Sequence, residues 1–133
     1  IIDTFYKMDT SILLQQYVEE DNGEDIRIIV IDNKVIASMK RISERDEFRS
    51  NVHRGGMTEA IEITPREEKI ALNATKYLGL GVAGVDLMRS KKGPVLLEVN
   101  ASPGLKGIEA ATGVNVAKHI IDFVEKNALR RRK

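Results

Sequence analysis

The chain has 133 residues, the size of one domain that can bury a hydrophobic core. It contains no cysteine, which excludes disulfides, thiolate metal sites and a cysteine nucleophile. The formal net charge is +1, but the four basic residues at 130–133 leave 17 Lys and Arg against 20 Asp and Glu, or −3, over 1–129. The net negative charge of residues 1–129 gives no general reason to expect nucleic-acid binding. We expect the basic tail at 130–133 to be solvated and disordered.

Apolar and alternating runs predict strands in the first half of the chain. They lie at 12–18 (ILLQQYV), 26–31 (IRIIVI) and 34–42, and the last two form a hairpin. Residues 43–56 (SERDEFRSNVHRGG) have neither helical nor strand periodicity and are long for a passive connection, which is typical of a functional loop. A weaker alternation predicts a further strand at 57–63.

A helix start follows at Thr64-Pro65-Arg66-Glu67. Threonine can cap the helix, proline suits its first position, and glutamate three residues after the cap completes a capping box. We expect Gly79 to end this helix. The residues at helical spacing are Ile70, Ala74, Tyr77 and Leu78.

The second half predicts a hairpin and a final helix. The strands are 82–89 and 95–99, joined by a tight turn around Lys91-Lys92-Gly93. The helix covers 115–127. Hairpins mixed with helices, without regular βαβ alternation, predict an α+β fold. The residues expected on the buried side of the final helix are Val116, Ile120, Phe123 and Val124.

Two apparent motifs lack the context that their chemistry requires. Residues 79–84 match G-x-G-x-x-G, but a helix precedes them and a strand follows, whereas a dinucleotide site needs the opposite order. The only histidines are His53 and His119, and the second lies in the final helix, where we expect a structural role. A zinc site based on histidine is therefore not expected.

The segment 84–104 (GVDLMRSKKGPVLLEVNASPG) carries the most chemistry. If the hairpin is centred on Lys92, Asp86 lies opposite Glu98, and Asn100 shares their face. Gly84 would then lie opposite Asn100 and leave room beside it. A slip of one residue would destroy this arrangement.

Two facing carboxylates repel each other. At about 4–5 Å and an effective dielectric constant of about 20, the repulsion is roughly 3–4 kcal/mol. With an amide oxygen beside them they form an all-oxygen ligand set that suits Mg²⁺ or Mn²⁺. The alternative is that Asp86 and Glu98 pair with basic side chains, and geometry alone leaves both open. The basic candidates are Lys40, Arg41 and Arg89.

Cationic residues cluster on the first predicted hairpin and on the loop after it. Together with a metal they would make a cradle for a polyphosphate, since arginine donates two hydrogen bonds to phosphate oxygens. The alternative is a solvated basic face interleaved with acidic side chains. The cationic residues are Arg27, Lys40, Arg41, Arg49, His53 and Arg54.

In this order, the stretches LLQQYVEE, DIRIIVI, MKR, EFRSNVHRGG, AGVDLMRS and LLEVNASPGLKGIE resemble those of ATP-grasp ligases. The similarity is greatest to the RimK type, which adds glutamate to the C-terminus of a small-subunit ribosomal protein, and it extends over about residues 12–124. EFRSNVHRGG and EVNASPG are its specific parts. The resemblance implies the C-terminal portion of an ATP-grasp fold, a mostly antiparallel sheet with flanking helices, over residues 1–129.

The resemblance also implies site residues. The interlobe hinge that meets the adenine would be Gln16, where the RimK pattern often has glutamate, with Tyr17 and Val18. Nucleotide contacts would further come from Asp25, Arg49, Ser50 and Asn51, and the metal ligands would be Asp86, Glu98 and Asn100. Arg27, Lys40 and Arg49 would act in catalysis by contacting the phosphates or the acyl-phosphate, and Ser102 and Gly104 would line the acceptor end.

The implied activity is ATP-dependent ligation of L-glutamate to a protein C-terminus through an acyl-phosphate, with ATP and two Mg²⁺ or Mn²⁺ ions. The implied partner is a ribosomal protein in the cytoplasm. No membrane or direct nucleic-acid partner is expected, and a homo-oligomer is left open. Because residues 1–11 supply neither a glycine-rich loop nor its lysine, we expect a fragment with little activity alone.

Three alternatives remain. The same chemistry could act on a lysine-biosynthesis carrier protein or on a coenzyme glutamate tail. A non-catalytic ribosome- or RNA-binding module is disfavoured by the aromatic content of 5%. Deletion of residues 130–133 tests it, because loss of RNA or ribosome binding with intact ligase activity of the full protein would favour a binding role for the tail. A structural domain that only resembles a ligase would keep full Mg²⁺-ATP turnover in the complete enzyme after Asp86→Ala and Glu98→Ala.

Overall fold

The structure is a computed structural model that describes residues 24–42 and 57–130. The predicted strand at 12–18 and loop at 43–56 lie outside this part. The described elements are β1 (Glu24–Ile31), β2 (Lys34–Ile42), β3 (Met57–Ala60), α1 (Pro65–Tyr77), β4 (Val82–Ser90), β5 (Gly93–Asn100), α2 (Lys106–Thr112) and α3 (Val116–Arg130).

The five described strands form one sheet in the order β3-β2-β1-β4-β5, and every neighbouring pair is antiparallel. Three described helices accompany it. The α+β class and the mostly antiparallel sheet are therefore confirmed. β1, the central strand, joins the two predicted hairpins by pairing with β4.

Alternation along β1 divides its side chains between the two faces of the sheet. Ile26, Ile28 and Val30 lie on one face and form a core with Ala71 of α1 and with Val85 of β4. Each is at most 2% exposed, so the apolar part of this face is fully covered. The first hairpin turn, Asp32-Asn33, has both residues at positive φ, as a tight two-residue turn requires.

The opposite face is apolar at one end and polar at the other. Ile29 and Ile31 pack in a second core with Ile108 of α2 and Val116 of α3. Asp25 and Arg27 share this face by alternation, towards the start of β1. The helices α2 and α3 thus cover the apolar end, and charged groups gather at the other end.

The helix α1 begins as predicted. Thr64 caps it, its hydroxyl accepts from the Glu67 amide, and the Glu67 carboxylate accepts from the Thr64 amide. The expected apolar spacing was wrong at its end, because Tyr77 is 89% exposed. The buried stripe runs instead through Glu67, Ala71 and Thr75. The Glu67 carboxylate can be buried in this stripe because Arg89 and the Thr64 amide donate hydrogen bonds to its oxygens.

Three further differences concern boundaries and burial. The strand predicted at 57–63 ends at Ala60, and the short helix α2 was not predicted. The final helix has Val116 buried as expected, but Val124 is 52% exposed. Among the described residues, no helix is both long and apolar enough to cross a membrane.

Candidate active site

A row of three charged residues crosses the polar end of the sheet. Arg27 of β1 is paired in the ladder with Asp86 of β4, and Asp86 with Glu98 of β5. Directly paired residues point to the same face, so the three side chains lie side by side. The row belongs to the face that α2 and α3 cover at its other end.

Asp86 is the centre of this row and only 2% of its side chain is exposed. Arg27 donates from Nε to Oδ1 at 2.8 Å and from Nη2 to Oδ2 at 2.7 Å. Arg41 of β2 donates from Nη2 to Oδ2 at 2.8 Å. The carboxylate therefore accepts three guanidinium hydrogen bonds, and both of its oxygens are engaged.

Arg41 ties this centre to a second buried carboxylate. It is paired with Asp25 in the β1–β2 ladder and donates from Nε to Oδ1 of Asp25 at 2.6 Å and from Nη2 to Oδ2. Its side chain is 11% exposed. Because these two arginines meet three carboxylates, the group formed by Asp25, Arg27, Arg41, Asp86 and Glu98 carries one formal negative charge.

The pKa of Asp86 is lowered from its ordinary value. Burial opposes ionisation, but the hydrogen bonds from Arg27 and the charges of Arg41 and Arg27 outweigh it. The pKa of Arg41 is raised: burial acts against its charge, and the bond to Asp25 with the charge of Asp86 overcomes that effect. Asp86 and Arg41 therefore remain charged at neutral pH despite their burial.

The hairpin register is confirmed where it matters for chemistry. Asp86 lies opposite Glu98 and Gly84 opposite Asn100, as a turn centred on Lys92 predicts. Nearer the turn that register was wrong, because a bulge between Asp86 and Leu87 shifts the pairing by one residue. The bulge compensates for a two-residue turn, so the facing carboxylates are preserved.

The loop after β5 folds back over Gly84. A β-carbon on Gly84 would lie 2.7 Å from the Cβ of Pro103, so a side chain is excluded there. The room expected beside Asn100 is thus filled by the chain's own loop. Ser102 and Gly104, which flank Pro103, are both exposed near the end of β5.

Glu98 and Asn100 form the outer edge of the site. The Asn100 Nδ2 donates to Glu98 Oε1 at 2.9 Å, and the same oxygen lies 4.0 Å from Nη2 of Arg27. The Glu98 side chain is 59% exposed, unlike its partner Asp86. The facing pair Asp86 and Glu98 therefore consists of one buried and one accessible carboxylate.

These donors fit a hard divalent cation by type. Two facing carboxylates and an amide oxygen suit Mg²⁺ or Mn²⁺. Across 24–42 and 57–130, no cluster of three or more His, Asp or Glu side chains could hold a metal by itself. A cation here would take its other ligands from Asn100, water or a phosphate-bearing substrate, as Mg²⁺ commonly does.

The structure does not bring Lys40 to this group. Lys40 is paired with Ile26, which faces α1, so it lies on the opposite face of the sheet from Arg41. Its ammonium contacts Glu59 at 2.7 Å and Glu24 at 3.5 Å. The hydrogen bond from Lys40 to Glu59 is the main cause of its raised pKa.

Of the three basic partners considered for the two carboxylates, only Arg41 contacts Asp86. Arg89 donates instead to Glu67 at 2.7 Å on the α1 face. The link from Arg41 to Asp25 was not predicted, because the Asp32-Asn33 turn alone would pair Asp25 with Lys40, and a bulge between Ile29 and Val30 shifts that pairing to Arg41. The predicted residues outside the described part are Gln16, Tyr17, Val18, Arg49, Ser50 and Asn51.

The chain matches known proteins over most of its length. A family model described as the RimK-like ATP-grasp domain matches residues 1–124. A probable alpha-L-glutamate ligase of Vibrio cholerae serotype O1 is 53% identical over 132 residues, which is 99% of this chain and 44% of that protein. One of Coxiella burnetii is 56% identical over 128 residues, 96% of this chain and 42% of that protein.

Two solved structures share its architecture. One is the ATP-grasp ligase PsnB complexed with a phosphomimetic variant of a minimal precursor, Mg and ADP. It has a TM-score of 0.64 and 29% identity, covering 81% of this chain and 33% of that one. The other is D-alanine–D-alanine ligase from Bacillus anthracis complexed with ATP. It has a TM-score of 0.71 and 25% identity, covering 98% of this chain and 46% of that one.

These matches cover nearly all of this chain but less than half of each curated relative. The chain spans 42–44% of the length of the curated relatives named above. The match to the family model extends from the first residue to within α3. It includes the whole row formed by Arg27, Asp86 and Glu98. The chain belongs to the RimK-like ATP-grasp domain family.

Proposed function

We propose that the full-length protein is an ATP-dependent ligase that joins L-glutamate to a carboxylate through an amide bond. The observation that carries this is the row of Arg27, Asp86 and Glu98 at the polar end of the sheet. It combines oxygen ligands for a cation with a guanidinium group for phosphate. The names of the two relatives from Vibrio cholerae and Coxiella burnetii, both probable alpha-L-glutamate ligases, support glutamate as the amino acid.

The proposed reaction has two steps. A substrate carboxylate attacks the terminal phosphorus of ATP, and ADP leaves, so that an acyl-phosphate forms. The amine of glutamate then attacks the acyl carbon, phosphate leaves, and the nitrogen gives up a proton. Neither step needs a protein nucleophile, which agrees with a chain that has no cysteine. The protein acts by positioning and by electrostatic stabilisation.

Each described site residue has a role in this proposal. Asp86, Glu98 and Asn100 would hold Mg²⁺ or Mn²⁺, which neutralises phosphate charge when it is bound. Arg27 would donate to the transferring phosphoryl group, since its fork matches phosphate oxygens. Asp25 would contact the nucleotide. The ADP and Mg of the PsnB complex and the ATP of the Bacillus anthracis ligase support the nucleotide and the cation.

The remaining assignments rest on sequence resemblance. Gln16, Tyr17 and Val18 would form the adenine hinge, and Arg49, Ser50 and Asn51 would contact ATP. Ser102 and Gly104, exposed beyond β5, would line the acceptor end. We leave Lys40 out of the phosphate contacts because its ammonium is paired with Glu59 on the other face.

The acceptor is proposed to be the C-terminus of a small-subunit ribosomal protein in the cytoplasm. The same chemistry on another acceptor is tested in parallel. Full-length protein is incubated with Mg²⁺, ATP and a panel of amino acids and acceptors, and phosphate release is followed. Release that requires both glutamate and the ribosomal protein supports the proposal. Release with another pair overturns the acceptor assignment, and no release with any pair overturns the ligase function.

A further inference from the structure

Arg27 supplies positive charge beside both carboxylates that are proposed to bind a cation. Its Nε and Nη2 donate to the two oxygens of Asp86, and Nη2 also lies 4.0 Å from Oε1 of Glu98. A guanidinium so placed offsets the repulsion between two facing carboxylates. Arg27 therefore provides charge compensation at the position where the proposed function requires a metal ion.

The two arginines at Asp86 are anchored differently. Arg41 is held at both ends by buried carboxylates, since it bridges Asp25 and Asp86. The ion pairs of Arg27 within the described residues are to Asp86 and to the exposed Glu98. If Arg27 swung away, Asp86 would keep its bond to Arg41 and would not be left as an unpaired buried charge.

Asp86 has limited room for another partner while Arg27 is in place. Its Oδ2 already accepts two hydrogen bonds and its Oδ1 accepts one. A divalent cation shared by Asp86 and Glu98 would also lie close to the guanidinium charge of Arg27. Two positive charges at a separation of about 4 Å repel strongly at a partly buried site.

We propose that Arg27 is an exchangeable counter-cation, which a divalent ion displaces from Asp86 and Glu98 and which then becomes available to phosphate. Arg41 is the fixed partner that keeps Asp86 in position during the exchange. This inference rests on the proposed function, because it takes the cation site from there. It adds that Arg27 and the cation compete for the same oxygens.

The test measures Mn²⁺ binding to the full-length protein without nucleotide, by the loss of the free Mn²⁺ signal in electron paramagnetic resonance. Arg27→Gln removes the competing charge, and we expect it to bind Mn²⁺ at least about fivefold more tightly than the wild type. Lys40→Gln is the matched control, because it removes one positive charge from the opposite face. We expect its Mn²⁺ affinity to stay within about twofold of the wild type, since screening weakens charges that make no contact.

Several outcomes would overturn the inference. They are weaker or unchanged Mn²⁺ binding by Arg27→Gln, an equal gain in Lys40→Gln, and no Mn²⁺ binding by either the wild type or Arg27→Gln. A tighter Arg27→Gln with an unaffected Lys40→Gln supports it. Competitive Mn²⁺ binding in a protein without ligase activity would overturn the proposed function alone. A working ligase whose Arg27→Gln variant binds Mn²⁺ more weakly would overturn the counter-cation role alone.

A second measurement uses the wild-type protein and does not depend on a variant that folds. The Nε–H groups of Arg27 and Arg41 are followed by ¹⁵N nuclear magnetic resonance during titration with Mg²⁺. We expect the Arg27 signal to shift as its bond to Asp86 breaks and the Arg41 signal, bonded to Asp25, to stay near its position. An Arg27 signal that does not move at saturating Mg²⁺ overturns the exchange.

Discussion

Pro103 lies directly over Gly84: its Cβ is 2.7 Å from the position that a β-carbon on Gly84 would occupy. The loop after β5 contains Ser102 and Gly104, and this contact holds the start of that loop against β4. Because Gly84 is also paired with Asn100, the loop, the end of β5 and β4 meet at this one backbone position.

Replacement of Gly84 by alanine should therefore push this loop away. We expect Gly84→Ala to lower the free energy of unfolding by about 1–3 kcal/mol through overpacking. It should also raise the KM for the acceptor more than the KM for ATP, because Ser102 and Gly104 move with Pro103. Urea unfolding and steady-state kinetics of the full-length protein measure the two effects. Gly104→Ala is the stability control, since a β-carbon there meets no atom within 4 Å, and equal destabilisation would contradict the steric explanation.

Glu67 stabilises the start of α1 and links it to β4. Its carboxylate accepts from the Thr64 amide at 2.7 Å and from Arg89 at 2.7 and 3.0 Å. We expect Glu67→Gln to lower the free energy of unfolding by about 1–3 kcal/mol, through loss of charged hydrogen bonds at a buried cap. Glu68→Gln removes the same charge from an exposed position in the same turn and should have a much smaller effect. Similar losses for both variants in urea unfolding would rule out a specific role for Glu67.

The lowered pKa of Glu67 leads us to expect that the fold is less stable in acid. The hydrogen bond from Arg89 is the main cause of the lowered pKa of Glu67, whose ordinary value is 4.5. A carboxyl with a lower pKa in the folded state stabilises the fold at pH values above the unfolded pKa, and that contribution is lost as the pH falls through the folded pKa. We expect stability to decrease with acidification below about pH 4.5, and less steeply in Glu67→Gln than in Glu68→Gln. Parallel pH profiles of thermal unfolding for the two variants would contradict this.

Arg41 is predicted to be the most important ion-pairing residue for stability in the described part. Arg41→Met leaves Asp25 and Asp86 buried without this guanidinium, and such a loss costs about 3–5 kcal/mol. Arg41→Lys should recover only part of this, because an ammonium cannot reproduce the two parallel bonds to Asp25. Lys40→Met is the matched control, since its partners Glu24 and Glu59 are partly exposed, and its unfolding midpoint in urea should change little. Equal midpoints for Arg41→Met and wild type would contradict the prediction.

A substitution of Glu98 tests the proposed cation site without destabilising the fold. Because its side chain is 59% exposed, Glu98→Gln should unfold like the wild type. If Glu98 is a metal ligand, kcat of the full-length enzyme should fall by about 100-fold or more, and raised Mg²⁺ should restore part of it. Glu59→Gln removes a partly exposed carboxylate on the other face and serves as the activity control. Full activity of Glu98→Gln at low Mg²⁺ would exclude the assignment.

Signals within the sequence are enough to predict the short-range features of this molecule. The capping box at Thr64 and the two hairpins follow from cap and turn residues and from the two-residue period of strands, whereas the pairing of Asp86 with Glu98 also depends on the bulge between Asp86 and Leu87. These signals act over a few residues, so no tertiary contact was needed to interpret them. The bulge beside Leu87 went unpredicted because it follows from hairpin geometry and leaves no distinct residue signal.

The charged side chains that contact each other depend on how the strands pair in the sheet and not on their distance along the sequence. Arg27 and Arg41 converge on Asp86 from 59 and 45 residues away along the chain, through the β1–β4 pairing that no local pattern specifies. The bulge in the β1–β2 hairpin pairs Lys40 with Ile26 and so places it on the face covered by α1, although it is adjacent to Arg41 in sequence. Because neighbouring strand residues point to opposite faces, the β1–β2 register, including its bulge, determines which of these two cations lies on the same face as Asp86 and which lies on the other face.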